Sequence, residues 1–406
     1  MLTFKYTARN PATGQKITAA IDAESELSAA KIIREQGLAP LDISPAHDSS
    51  NNPIAKLKGR IKPKDKVLFS RQLSTLINAG LPLVQALRSV AEQTSSKPFK
   101  VVIAKVINDV EAGSTLSSAM AKHPQVFNDV YINLIAAGEA SGTLDKALER
   151  LAIQQEKDAE LISKIRGAMV YPIIVLCVMV VVVGFMIVKV IPQVQQLYKG
   201  ISGAHLPFIT VIMIDISQAI IKFWWLFIVL TVLAAFITSR WARTGPGKEV
   251  VDRLKMRMPP IGPLFMKVYM ARFSRTGATL VASGVPLIQV LEITGRSINN
   301  VHIEDSLKKA TDKVKGGMAL SDALNGDPNF LELVPSMLKI GEQSGTIEQM
   351  LGKTADYYER EVDNEVKAIS TVIEPILMVI LGVVAFIIVA AVLLPIYSLA
   401  GQTIIK

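Results

Sequence analysis

Cysteine is almost absent from this sequence and histidine is scarce. The 406 residues hold one cysteine, Cys177, inside an apolar run, and four scattered histidines, His47, His123, His205 and His302. One thiol cannot close an intrachain disulfide. With no CxxC pair, no HExxH and no paired histidines, the ligand spacing of a metal site is missing. There is no GxxxxGK[ST] to cradle phosphates and no GxSxG to carry a nucleophile. An intramembrane aspartyl peptidase needs two membrane aspartates, and the single candidate, Asp215, lies before an apolar run. Residues 1–20 lack the continuous apolar core of a cleavable signal peptide. The chain therefore reads as a non-enzyme, with no catalytic, cofactor-binding or metal-binding residues.

Apolar residues make up 50% of the chain and charged residues only 19%, with a mean hydropathy of +0.37. The apolar content is concentrated in three runs: 169–191, 219–239 and 372–396, the last continuously apolar from Ile376. Helices of this length rise ~1.5 Å per residue and cross roughly 30 Å of hydrocarbon. Lys189 and Lys222 lie near span ends, from which their ammonium groups reach water. Trp224, Trp225 and Trp241 mark the two interfaces.

Charge of one sign is nearly missing from two stretches. Of 44 basic residues, 22 precede the first span, 18 lie between the second and third, and the segment 192–218 carries only Lys199. Positive residues stay in the cytoplasm. That places the N-terminus and residues 240–371 in the cytoplasm, and 192–218 and the tail 397–406 in the periplasm. The net charge of +9 is thus mainly a topology signal, and no nucleic-acid partner is implied.

The chain repeats itself. FSRQLSTLINAGLPLVQAL (69–87) and FSRTGATLVASGVPLIQVL (273–291) share ten of nineteen positions at an offset of 204. Gly113, Leu116, Ser117 and Ala119 match Gly317, Leu320, Ser321 and Ala323 at the same offset. GEASGTL (138–144) matches GEQSGTI (341–347) at 203, as Tyr171-Pro172 matches Glu374-Pro375. The repeating unit is a soluble helical domain followed by a span. Two cytoplasmic bundles, 65–168 and 240–371, are therefore expected to share a fold.

In the first copy Phe69, Leu73, Leu76, Ile77 and Gly80 recur at helical spacing. Gly80 then suits a left-handed helix end and Pro82 the first turn of the next helix; Gly284 and Pro286 repeat the pair. Phe69, Arg71, Gly138 and Gly142, with Phe273, Arg275, Gly341 and Gly345, complete the repeat motif and read as structural. Glu139 and Glu342 have three open readings: capping a helix start, binding a cation, or contacting a partner.

Residues 1–44 differ from the repeat. Leu2–Tyr6 and Ile17–Ile21 alternate around a turn at Pro11–Gly14, Ser25–Gln36 reads as a helix closed by Gly37, and Ala39–Ile43 reads as a third strand. This predicts a small α/β module. Residues 45–64 are polar and read as a linker.

FKYTARN and AESELSAAKIIREQGLAPLDI (within 4–43), FSRQLSTLINAGLPLVQAL, LPFIT (206–210) and VIEPILMVILGVVAFIIVAAVLLPIYSL (372–399) resemble, in order, the type II secretion F protein and type IV pilus platform protein family. The resemblance implies a mainly α, three-span inner-membrane protein with two cytoplasmic bundles of six-helix type. It also implies a homo-oligomer that docks a cytoplasmic hexameric ATPase, pilin or pseudopilin subunits and other inner-membrane assembly proteins, and so couples the ATPase to insertion or extraction of pilin. A transporter component ranks second, because three spans with few central polar residues make a poor solute pathway; a membrane enzyme ranks third.

Overall fold

The structure, a computed structural model, describes residues 2–9, 16–23, 26–35, 37–45, 61–193, 196, 208–259 and 261–403. It divides into two compact units, residues 1–60 and 61–406.

The first unit is a three-stranded antiparallel sheet with one helix: β1 (Leu2–Arg9), β2 (Lys16–Ala23), α1 (Glu26–Glu35) and β3 (Ala39–Pro45). β1 is central, pairing Tyr6 with Ala19 on one side and with Ile43 on the other. Tyr6, Ala8 and Ile33 are buried together. Gly37, at φ +75°, allows the reversal after α1. The expected turn at 11–14 and most of the expected linker, residues 46–60, lie outside the described residues.

The second unit begins with α2 (Pro63–Asn78), α3 (Leu83–Gln93), α4 (Lys97–Glu111), α5 (Leu116–Ala121) and α6 (Asp129–Ser141), and continues into α7 (Leu144–Phe185). Phe69 and Leu73 are buried on the predicted face of α2. Gly80 takes φ +84°. Pro82 sits at the N-cap of α3, one position ahead of the first turn expected for it. Phe69, Phe99, Phe127 and Tyr131 stack into one aromatic cluster with centroids 5.0 to 6.4 Å apart.

The second half repeats this order as α10 (Ile261–Ala282), α11 (Leu287–Ile298), α12 (Val301–Lys315), α13 (Leu320–Leu324), α14 (Leu333–Ser344) and α15 (Ile347–Thr403). Phe273 and Phe330 pack edge to face at 5.2 Å, matching Phe69 and Phe127 of the first copy. Ahead of these six lies a further helix, α9 (Gly245–Arg257). Thr244 is its N-cap and Pro246 lies in its first turn.

The three expected spans lie inside α7, α15 and α8 (Phe208–Trp241), the three helices among the described residues that are long and apolar enough to cross a membrane. Their apolar side chains face outward: Val181 is 69% exposed and Phe386 74%, as lipid contact requires and aqueous solvent would penalise. α7 ends in a π turn, Met186–Val190, and Ser217 Oγ of α8 donates to the Ile187 carbonyl at 2.5 Å. α8 bends at Phe223, where φ is −114° and ψ 18°. Of the expected 192–218 segment, residues 194–195 and 197–207 lie outside the described residues, and the expected tail stays helical as far as Thr403.

The expected boundaries 168/169 and 371/372 fall inside single helices. α7 runs through Pro172 and α15 through Pro375 without interruption. Each proline removes one N–H donor, and the remaining backbone bonds of an apolar segment hold the helix because lipid offers no other partner.

Candidate functional site

Each bundle is clamped to its membrane helix by the same ion pair. Arg71 on α2 bonds both carboxylate oxygens of Glu156 on α7. One repeat later, Arg275 on α10 bonds Glu359 at 2.8 Å, and also Asp356, on α15. Hydrogen bonding to Glu156 holds the Arg71 guanidinium above its ordinary value, and the same bond holds the Glu156 carboxyl below its own. Burial alone would lower Arg275, but its bonds to Glu359 and Asp356 outweigh that and raise it. Lys267, near the start of α10, bonds Glu365 at 2.6 Å and Glu361 at 3.0 Å.

The GEASG and GEQSG segments are helix–turn–helix corners. A Cβ on Gly138 would run into Ala147 and the backbone of Leu144, and one on Gly341 would lie 2.8 Å from the Ile347 backbone. Gly142 and Gly345 both take φ +70° as left-handed helix ends. Between them, Glu139 reaches back to the start of α5. It accepts the Leu116 N–H at 2.5 Å, the Ser117 N–H at 3.1 Å and the Ser117 hydroxyl at 2.5 Å. Glu342 does the same for α13, accepting Leu320 N–H at 2.6 Å and the Ser321 hydroxyl at 2.5 Å. A carboxylate on the free N–H groups of a helix start is favourable through both hydrogen bonding and the helix dipole. Of the three readings open in sequence, this is the contact the carboxylates make.

Sequence reasoning missed the joint between the bundles. Gln154 on α7 donates to Thr276 Oγ1 at 3.0 Å and accepts from Thr279 Oγ1 at 3.2 Å, both on α10. Arg150 caps the end of α10 through the Ala282 carbonyl. Arg272 pairs with Asp158 at 2.7 Å and Arg296 with Asp129 at 3.0 Å. Leu280, Val285, Val290 and Ile293 of the second bundle complete the apolar core of the first. The two bundles are thus one packed body. The repeat does not flag the joint: it aligns Gln154 with Tyr357 and Thr276 with Gln72, yet Thr279 and Leu280 with an identical Thr75 and Leu76.

From this body α7 and α15 leave side by side, tied by Lys164–Asp363 at 2.6 Å and Lys157–Glu359 at 3.7 Å. The bond to Asp363 raises the Lys164 ammonium above its usual value. Further on, spans 1 and 3 enclose a groove of about 360 Å³ with an entirely apolar lining that includes Val178, Val182, Leu381, Ala385 and Ile388. Gly184 and Gly382 face open space.

Residues 69–192 and 273–395 match the family described as Type II secretion system (T2SS), protein F, and residues 1–44 match its N-terminal domain. The chain belongs to the type II secretion system protein F family. The two matches begin at Phe69 and Phe273, the paired aromatic residues of α2 and α10, and each runs on into a span. Among similar proteins, the type IV pilus assembly protein PilC of Thermus thermophilus is 38% identical over 99% of each chain. PilC of Myxococcus xanthus is 37% identical over 84% of this chain and 82% of its own. A type II secretion system protein F from Pseudomonas aeruginosa is 32% identical over 98% and 99%. Its three long apolar helices and its membership of this family make it an inner-membrane protein.

Proposed function

We propose that this chain is a non-enzymatic inner-membrane platform on which a type IV pilus or type II secretion pseudopilus is assembled. Relatives with both names cover nearly the whole chain. The observation that carries the reading is mechanical: one body of two bundles, from which two unbroken helices enter the membrane side by side.

In this reading the N-terminus and both bundles are cytoplasmic and the C-terminus periplasmic, following the distribution of lysine and arginine. A cytoplasmic hexameric ATPase engages the bundles of a homo-oligomer, together with other inner-membrane assembly proteins. Nucleotide-driven movement turns or shifts the joined bundles, and α7 and α15 carry that movement to pilin or pseudopilin helices. The apolar groove between spans 1 and 3 suits such a helix, with close packing as the attraction. Glu139 and Glu342 enter through the short helices they hold in place. Loss of ATPase co-purification in Glu139→Ala and Glu342→Ala with unchanged melting would mark direct contact, whereas loss of both would mark the cap.

The test breaks the mechanical link without touching either end. A Gly-Ser-Gly insert after Gly167 or Thr371 should leave the protein in the membrane and able to co-purify with its ATPase, yet abolish fibre assembly or secretion. Normal assembly with both inserts would remove the lever from the mechanism.

A further inference from the structure

α9 is held at membrane level at both ends. Its first turn folds back on the end of span 2. Thr244 Oγ1 donates to the Trp241 carbonyl at 2.7 Å, and a Cβ on Gly247 would collide with that same carbonyl. At its other end the Gly262 N–H donates to the Met258 carbonyl at 2.6 Å, so α10 starts directly against α9. That start is also at membrane level. α10 runs antiparallel to α15 with Lys267 bonded to Glu361 and Glu365, so Ile261 lies about six residues, or ~9 Å, nearer the bilayer, opposite the approach to span 3. A helix whose two ends both meet the bilayer surface lies along it.

One face of α9 is fixed to the second bundle. Asp252 accepts the Val301 N–H at the start of α12, His302 Nε2 meets the Glu249 carbonyl at 3.0 Å, and Met256 packs on the bundle's core. The opposite face carries Val250 and Leu254, four apart, followed by the C-cap residue Met258, exposed at 52, 57 and 40%. Around this stripe stand Arg240, Arg243, Lys248, Arg253, Lys255 and Arg257 against only Glu249 and the buried Asp252; Glu249 pairs with Arg253 at 3.2 Å. Exposed apolar residues flanked by cations match an interfacial helix, with apolar side chains among the upper acyl chains and basic ones on anionic headgroups.

We propose that α9 is a lipid-binding element: it lies in the interface of the leaflet facing the bundles, inserts Val250, Leu254 and Met258, and binds anionic lipid headgroups through Arg253, Arg257 and their basic neighbours. It thereby fixes the height and tilt of the second bundle over the membrane.

The full-length chain, with Cys177→Ser, is spin-labelled at Leu254→Cys or at Lys353→Cys and reconstituted in bilayers with and without phosphatidylglycerol. Position 353 is exposed and 23 residues before Ile376 on α15, roughly 34 Å along the helix. With phosphatidylglycerol present, the ratio of oxygen to water-soluble nickel accessibility should be severalfold higher at 254 than at 353. It should fall in phosphatidylcholine alone, and fall again with Arg253→Gln and Arg257→Gln. Equal ratios at 254 and 353 in anionic bilayers overturn the proposal. So does a ratio indifferent to lipid charge and to the arginines, or shielding that arises only when the ATPase is added, which would assign the face to a protein.

Discussion

Glu139 and Glu342 do for their bundles what a serine or aspartate usually does one residue before a helix, but they do it from about 22 residues further along the chain. Each satisfies backbone N–H groups that α5 and α13 leave open. Removing one should therefore cost about 1–2 kcal/mol: Glu139→Ala should lower the circular-dichroism melting point of the detergent-solubilised chain, and Glu139→Gln should lower it less. A second pair of residues shows where the repeat has diverged. Ser70 Oγ and the Tyr131 hydroxyl lie 3.2 Å apart, both buried. The second copy has Ser274, equally buried and without a partner, where the residue equivalent to Tyr131 is Val334. Ser70→Ala strands the tyrosine hydroxyl and should cost about 1–2 kcal/mol, whereas Ser274→Ala should be neutral or slightly stabilising. Comparing the two melting points checks this. The glycines and prolines of the motif were legible because their backbone angles are local properties. Glu139 was not, since a carboxylate's partner is chosen by the fold and its sequence neighbours do not include α5.

Among the elements, α7 and α15 matter most. Apolar runs located their membrane halves and the repeat located their cytoplasmic halves, but their continuity was hidden. Pro172 and Pro375 look like boundaries in sequence and are simply accommodated in the structure. α9 was hidden for a related reason: Gly245-Pro246-Gly247 suits a turn as well as a helix start. The clamp that ties α2 to α7 invites a charge-swap test. Arg71→Glu and Glu156→Arg should each lower the melting point, and the double variant should recover most of the loss. The coupling should be no more than about 1 kcal/mol, because both side chains are partly exposed. Its pH dependence has a defined sign. The Glu156 carboxyl is held below its ordinary value in the folded chain. The clamp's stabilisation is thus fully present above the unfolded glutamate value near ~4.3 and lost as pH falls through the lower folded value. The coupling measured at pH 7 should persist at pH 5.

At the scale of the whole molecule, a duplicated unit has become a single asymmetric body. The bundles share a fold, but the surfaces that join them, Arg150, Gln154 and Asp158 against Arg272, Thr276 and Ala282, belong to one copy each. Joined bundles must lie on the same side of the bilayer, and the basic residues flanking the spans favour the cytoplasm. A direct measurement is labelling of single cysteines by a membrane-impermeant thiol reagent, in a Cys177→Ser background, at Lys100 in the first bundle, Lys308 in the second and Gln196 between spans 1 and 2. The account predicts that Lys100→Cys and Lys308→Cys react in inverted inner-membrane vesicles and not in intact spheroplasts, with Gln196→Cys showing the reverse. Reaction of the two bundle positions from opposite faces would contradict it.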